Sequence, residues 1–255
     1  MNLKYLLIGF GIAAAGLSLS GNAAQAFSFS TNFTGNDPKG DIWLNSVSFG
    51  GKTVTDFALV NAASIVSNPA YTGGNTGAAS ADKGDLTTTG VKKEGPTAAD
   101  IVTNLGNKNL NNIIDGEDSG AFKINLKFDR AVSNLFFWER GMNSDLNVQA
   151  LDAGGNLVGN LFKISRNLWT GAGYSIDTTE IGGAQRVGSY GLSLADLGVG
   201  GPIAGIQVSA LSSFNGPDFK VAGEAAAVPE PATMAGLALA GSGLAWARRR
   251  RLKQA

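Results

Sequence analysis

The 255-residue chain contains no cysteine and no histidine. Without cysteine there is no disulfide framework and no thiolate chemistry, so the core alone must hold any fold, even in an oxidising compartment. Without histidine, Ser-His-Asp and Cys-His nucleophilic machinery, histidine-ligated haem and the usual zinc sites are excluded. Charged residues make up only 16% of the chain. Glycine, by contrast, occurs 36 times, and glycine between short apolar stretches points to tight turns joining short strands.

Hydrophobic segments mark both ends. Lys4 lies in a short basic n-region, residues 5–19 are apolar, and Ala24-Gln25-Ala26 supplies the small residues that a signal peptidase needs, so the mature chain is expected to start at Phe27. Between Phe27 and Val228 lie roughly 200 residues, enough for one domain with a sizeable core. The chain balances 20 basic against 20 acidic residues, but the ends hold much of the positive charge. Setting aside Lys4, the five basic residues of the last eight and Glu230 leaves 14 basic and 19 acidic. A mildly acidic exported segment suits solubility and argues against nucleic acid, which requires a basic face.

At the C-terminus Pro229-Glu230-Pro231 precedes an apolar run, 232–247, and then Arg248-Arg249-Arg250-Arg251. Pro231 fits the first turn of a helix, where its missing N–H would have no partner. The run spans about 24 Å at ~1.5 Å per residue, somewhat less than the ~30 Å hydrocarbon core. Arg248, Arg249, Arg250, Arg251 and Lys253 can snorkel at the cytoplasmic face and act as a membrane stop, which fixes the bulk of the chain outside.

The pattern between these ends is mainly β. Phe122, Ile124, Leu126 and Phe128 alternate with Lys123, Asn125 and Lys127, as in a half-buried antiparallel strand. A turn is expected near Asp129-Arg130, followed by a run over 132–138 that reads as buried on both faces. Residues 146–150 and 157–164 form a hairpin around Asp152-Ala153-Gly154-Gly155-Asn156, and Gly50-Gly51 joins another. Further strands are expected at 27–33, 43–49, 54–60, 64–66, 174–177, 186–193, 203–208 and 219–221. Thr97-Ala98-Ala99-Asp100 resembles a capping box, opening one short helix that Gly106 ends. Stretches 71–95 and 106–120 read as surface loops. The resulting expectation is an antiparallel β-sandwich or jelly-roll-like ectodomain with one short helix, flanked by an N-terminal signal helix and a C-terminal transmembrane helix. Its divisions are a signal peptide at 1–26, the ectodomain at 27–221, an Ala/Gly linker at 222–228 and the sorting segment at 229–255.

Few residues suggest chemistry. Asp115, Glu117 and Asp118 cluster hard oxygen ligands and are candidates for Ca²⁺, against the alternative of a solvated acidic turn; no other cofactor is indicated. Trp169, in a polar loop, is the candidate for stacking on a sugar ring, whereas Trp138 reads as core. Glu139-Arg140 reads as a solvated or locally paired strand end, with no second carboxylate identifiable for glycosidase chemistry.

The order Pro229-Glu230-Pro231, short hydrophobic helix, arginine cluster resembles the PEP-CTERM sorting signal. The resemblance covers 228–255 and implies export, transient membrane tethering, cleavage near the motif by an exosortase, and delivery to the cell surface or extracellular matrix. The stretches 134–141 and 216–221 are similar, less specifically, to exosortase-dependent surface proteins, a group that brings no activity with it. Three functions remain open on the sequence: a non-enzymatic surface or matrix protein, an exopolysaccharide-binding module, and a glycan-active enzyme that works without histidine.

Overall fold

The computed structural model describes residues 26–73 and 79–227. Ala24, the motif Pro229-Glu230-Pro231, the apolar run 232–247 and the membrane-stop residues Arg248, Arg249, Arg250 and Arg251 lie outside the described residues. Among the described residues no helix is long and apolar enough to cross a membrane.

The described residues form strands β1 (Ser30–Thr34), β2 (Trp43–Phe49), β3 (Lys52–Val54), β4 (Phe57–Ala58), β5 (Val60–Ser67) and β6 (Ala79–Lys83), then the α-helix α1 (Ala98–Leu105). Strands β7 (Asn112–Gly116), β8 (Phe122–Arg140), β9 (Leu146–Leu151), β10 (Leu157–Ile164), β11 (Thr170–Ile176), β12 (Gln185–Ser193), β13 (Ile203–Ala210) and β14 (Phe219–Ala225) follow. All the strand pairings are antiparallel.

Strand β8, 19 residues long, organises the molecule. Its first half pairs with β5 and β13, and β13 carries the β9–β10 hairpin. Its second half pairs with β12 and β14, beyond which lie β7 and β6. The two halves pack on each other: Ile124, Leu126, Val148 and Ile206 share one hydrophobic cluster with Leu135, Phe137 and Val221. Phe136 and Trp138 point to the opposite face, as a period of two requires, and join a second cluster with Phe29, just ahead of β1, and with Leu44, Val47 and Val54 of the small β1–β2–β3 sheet. The second half of β8 is therefore covered on both sides, the reason its sequence is almost continuously apolar.

Gly50 and Gly51 adopt the positive φ values, 53° and 77°, of a two-residue hairpin turn between β2 and β3. Thr97 accepts from Asp100 N–H while Asp100 accepts from Thr97 N–H, closing the capping box of α1, which buries Ile101 and Leu105.

Four expectations need correction. The turn near Asp129-Arg130 does not break the strand: β8 runs through it because Asp129 Oδ1 accepts from Leu59 N–H (3.0 Å) and Arg130 pairs with Asp56 (2.8 Å), so these polar residues hold an exposed bend. The stretch 71–95 contains β6, and 106–120 contains β7, both largely buried. Residues 222–225 are not linker but the end of β14, with Ala222 fully packed; only Ala226 and Ala227 of the described chain follow it.

Candidate functional site

Strand order β8-β14-β7-β6 brings four charged residues to one place. Arg140 ends β8, Asp218 leads into β14, Asp115 lies on β7 and Asp82 on β6. The buried Arg140 guanidinium meets Asp115 (2.5 Å), Asp218 (2.8 Å) and Asp82 (3.4 Å), and also donates to Thr178 Oγ1. Asp218 Oδ1 further accepts from Gly116 N–H (3.0 Å), and Asp82 Oδ1 from Thr179 Oγ1–H (2.6 Å). The cluster thus ties the loop after β11 to three strands. Burial pushes the Asp115 carboxyl above its usual range, opposed by Arg140 and reinforced by Asp82. Asp218 is raised by burial and then by Asp115.

Beside the clamp opens a 350 Å³ cleft lined by Asp115, Glu117, Asp118, Arg140, Glu180 and Asp218, among others. Carboxylate oxygens of Asp82, Asp115 and Glu180 lie within 4.8 Å of one another, and those of Glu94, Glu117 and Glu180 form a second such trio. Glu180 is pushed up to about 8, first by burial and then by Asp115, Asp82 and Glu94. Crowded carboxylates with a single guanidinium to neutralise them suit a hard divalent cation. Of the three residues named from the sequence, Asp115 and Glu117 belong to these trios and the exposed Asp118 to neither. Asp82, Glu94 and Glu180 had no signal in the linear order, because strand pairing and the β11–β12 loop bring them in.

On the other face of β8, Glu139 is fully buried and neither carboxyl oxygen has a hydrogen-bond partner. The Ser144 hydroxyl and the N–H groups of Met142 and Asn143 lie nearby without closing normal hydrogen bonds. Burial, the largest influence, pushes this carboxyl up to about 8 despite those neighbours and Arg140. The reading of Glu139-Arg140 as a solvated strand end is corrected: both are interior, since β14 and β12 flank β8 there.

Trp169 is also corrected. Its ring is only 6% exposed, donates Nε1–H to the Ser144 carbonyl (2.8 Å) and packs edge-on against Tyr190. Gly188 makes room for it: a Cβ there would sit 2.7 Å from Trp169 Cβ. Trp138 is core, as expected, with its Nε1–H donated to Thr31 Oγ1 (2.9 Å). Of the chain's other aromatic residues, Tyr174 is buried and Trp43 half-buried.

Lys220, unremarked in the sequence, is buried on β14 and donates from Nζ to the Asn104 carbonyl in the last turn of α1. A cation at a helix C-terminus is favourably placed. Burial nevertheless drives its pKa well below the usual lysine range.

Among known families, residues 227–251 match the model described as the PEP-CTERM protein-sorting motif. No curated protein and no solved structure is significantly similar to the chain. The chain therefore carries a PEP-CTERM sorting motif, which indicates export, C-terminal membrane anchoring and exosortase-dependent sorting of a surface protein, with an exosortase as the processing partner.

Proposed function

We propose that the chain is a non-enzymatic component of the cell surface or extracellular matrix. Signal peptidase releases it after Ala26, residues 232–247 hold the precursor in the inner membrane, and an exosortase cuts near Pro229-Glu230-Pro231. The match at 227–251 carries this reading. Two features of the ectodomain support the absence of catalysis and of a sugar platform. Asp82, Asp115 and Asp218 are engaged by one guanidinium rather than free to exchange protons with a substrate, and Trp169 spends its indole on the core. Expression in cells with and without an exosortase tests the reading by intact mass of the surface-associated protein. Loss of the segment containing Arg248 to Arg251 only in exosortase-positive cells is expected; the unprocessed tail on the surface of those cells would refute it.

A second reading, calcium at the acidic cleft, is favoured by two carboxylate trios that share Glu180, one with Asp82 and Asp115 and one with Glu94 and Glu117. Calorimetric titration with CaCl₂ should give a saturable heat that Glu180→Gln weakens. A featureless titration removes the reading.

A further inference from the structure

Strand β14 ends at one end of the domain, and what surrounds that exit decides how the chain can be processed. Ala225 N–H donates to the Asp56 carbonyl (3.3 Å) and Ala226 N–H to the Ala131 carbonyl (2.8 Å), so the chain is held by the fold to within three residues of Pro229. Three extended residues reach about 10 Å, at ~3.3–3.6 Å each. A domain of roughly 200 residues has a radius of gyration of ~16 Å. The tether is shorter than the body it holds, and the domain cannot swing clear of whatever grips residues 229–231.

Local unwinding of β14 does not lengthen the tether at low cost. The strand pairs with β8 over seven residues, and Phe219, Val221 and Ala222 are packed in the two hydrophobic clusters. Peeling it away would expose both cores.

Resting on the sorting function proposed above, we infer that the exit end of the domain, formed by the β3–β4 connection at Thr55-Asp56, the bend Asp129-Arg130-Ala131 and the end of β14, is the surface that meets the outer face of the exosortase. Its charges suit contact with another protein. Lys52 pairs with Glu224 (2.9 Å) and Arg130 with Asp56 (2.8 Å), with Asp129 3.9 Å from Arg130, so the face is polar, its charges lie in ion pairs, and the balance of two cations to three carboxylates is slightly acidic. Such a face gains little from anionic headgroups and strands no unpaired charge when covered.

Photo-crosslinking in the full chain tests this. A photoreactive residue replaces exposed Thr55 or Ala131 at the exit, or exposed Asp118 or Ser119 beside the other end of β14, in cells holding an active-site-inactivated exosortase that retains the precursor. The expected result is enzyme adducts from 55 and 131 and none from 118 and 119. A 20-residue Gly/Ser insertion after Ala227 should abolish the adducts while wild-type exosortase still removes the tail. Adducts from both ends, lipid adducts only, or no adducts from a chain that the active enzyme processes would each overturn the inference. A tail left intact by active enzyme would overturn the sorting function and this inference with it.

Discussion

Replacing Glu139 by Gln should stabilise the domain, and by an amount that depends on pH. The carboxyl is fully enclosed, has no hydrogen-bond partner, and titrates at about 8 in the fold against 4.5 for an ordinary glutamate. The folded form therefore keeps a proton that the unfolded chain releases between those values. The contribution of Glu139 is fully present below pH 4.5 and is lost as pH rises to 8, at about 1.4 kcal/mol per pH unit. Summed over the window, the loss is about 5 kcal/mol. Glutamine has the same shape and cannot ionise, so the stability difference between variant and parent should start near zero at pH 4.5, climb, and level off above pH 8. Charged neighbours modify the slope: Arg140 favours ionisation of Glu139, while Asp218 and Glu139 disfavour each other's charge. Urea denaturation of residues 26–227, which include both hydrophobic clusters, measures it directly. With m of ~2 kcal/mol/M, the plateau corresponds to a midpoint shift of about 2.5 M. A difference that stays flat from pH 4.5 to 9, or a variant less stable at pH 8, would refute the account of Glu139 as a buried neutral acid.

Arg140→Leu leaves Asp82, Asp115 and Asp218 without their guanidinium and should cost about 3–5 kcal/mol at pH 7, less in acid, by the same denaturation assay. Trp169→Ala should cost about 3–5 kcal/mol through the cavity it leaves, and glycan-array signals should be no different from those of the parent chain. Thr97→Ala removes the acceptor for Asp100 N–H and should cost about 1 kcal/mol, visible as faster amide exchange in the first turn of α1. Gly191→Ala would place a Cβ 2.3 Å from the Phe27 ring, and should release the N-terminal residues from β12, read as loss of exchange protection at Phe27.

Features encoded locally were legible in the chain. The alternation over 122–128, the capping box at Thr97 and the Gly50-Gly51 turn each depend on neighbours a few residues apart, and each appears where the pattern places it. The hairpin around Gly154-Gly155 likewise forms, its turn held by Asp152 Oδ1 accepting from Asn156 N–H. The sorting motif is the clearest case, being a linear signal. Features set by tertiary partners were not legible. Strand β6 is Ala-Ser-Ala-Asp-Lys, with little intrinsic preference for a strand, and owes its state to pairing with β7 and to the cover of α1. The ends of β8 and β14 carry Glu139, Arg140 and Lys220, residue types usually found in water; their burial follows from flanking strands and a helix end far away in the chain. Trp169 misled for the converse reason, since its polar sequence neighbours say nothing about the space above Gly188.

The position of β14 has a mechanical consequence. A protein held at its C-terminus transmits any drag through residue 227 into a strand that pairs with β8 along its length, with β4 at its exit end and with β7 at its start, antiparallel to all three. Tension along that strand loads its rungs together, in shear, whereas a peripheral strand pulled sideways would open one rung at a time. The same burial that keeps the exit close to Pro229 makes the attachment point one of the strongest parts of the molecule under pull.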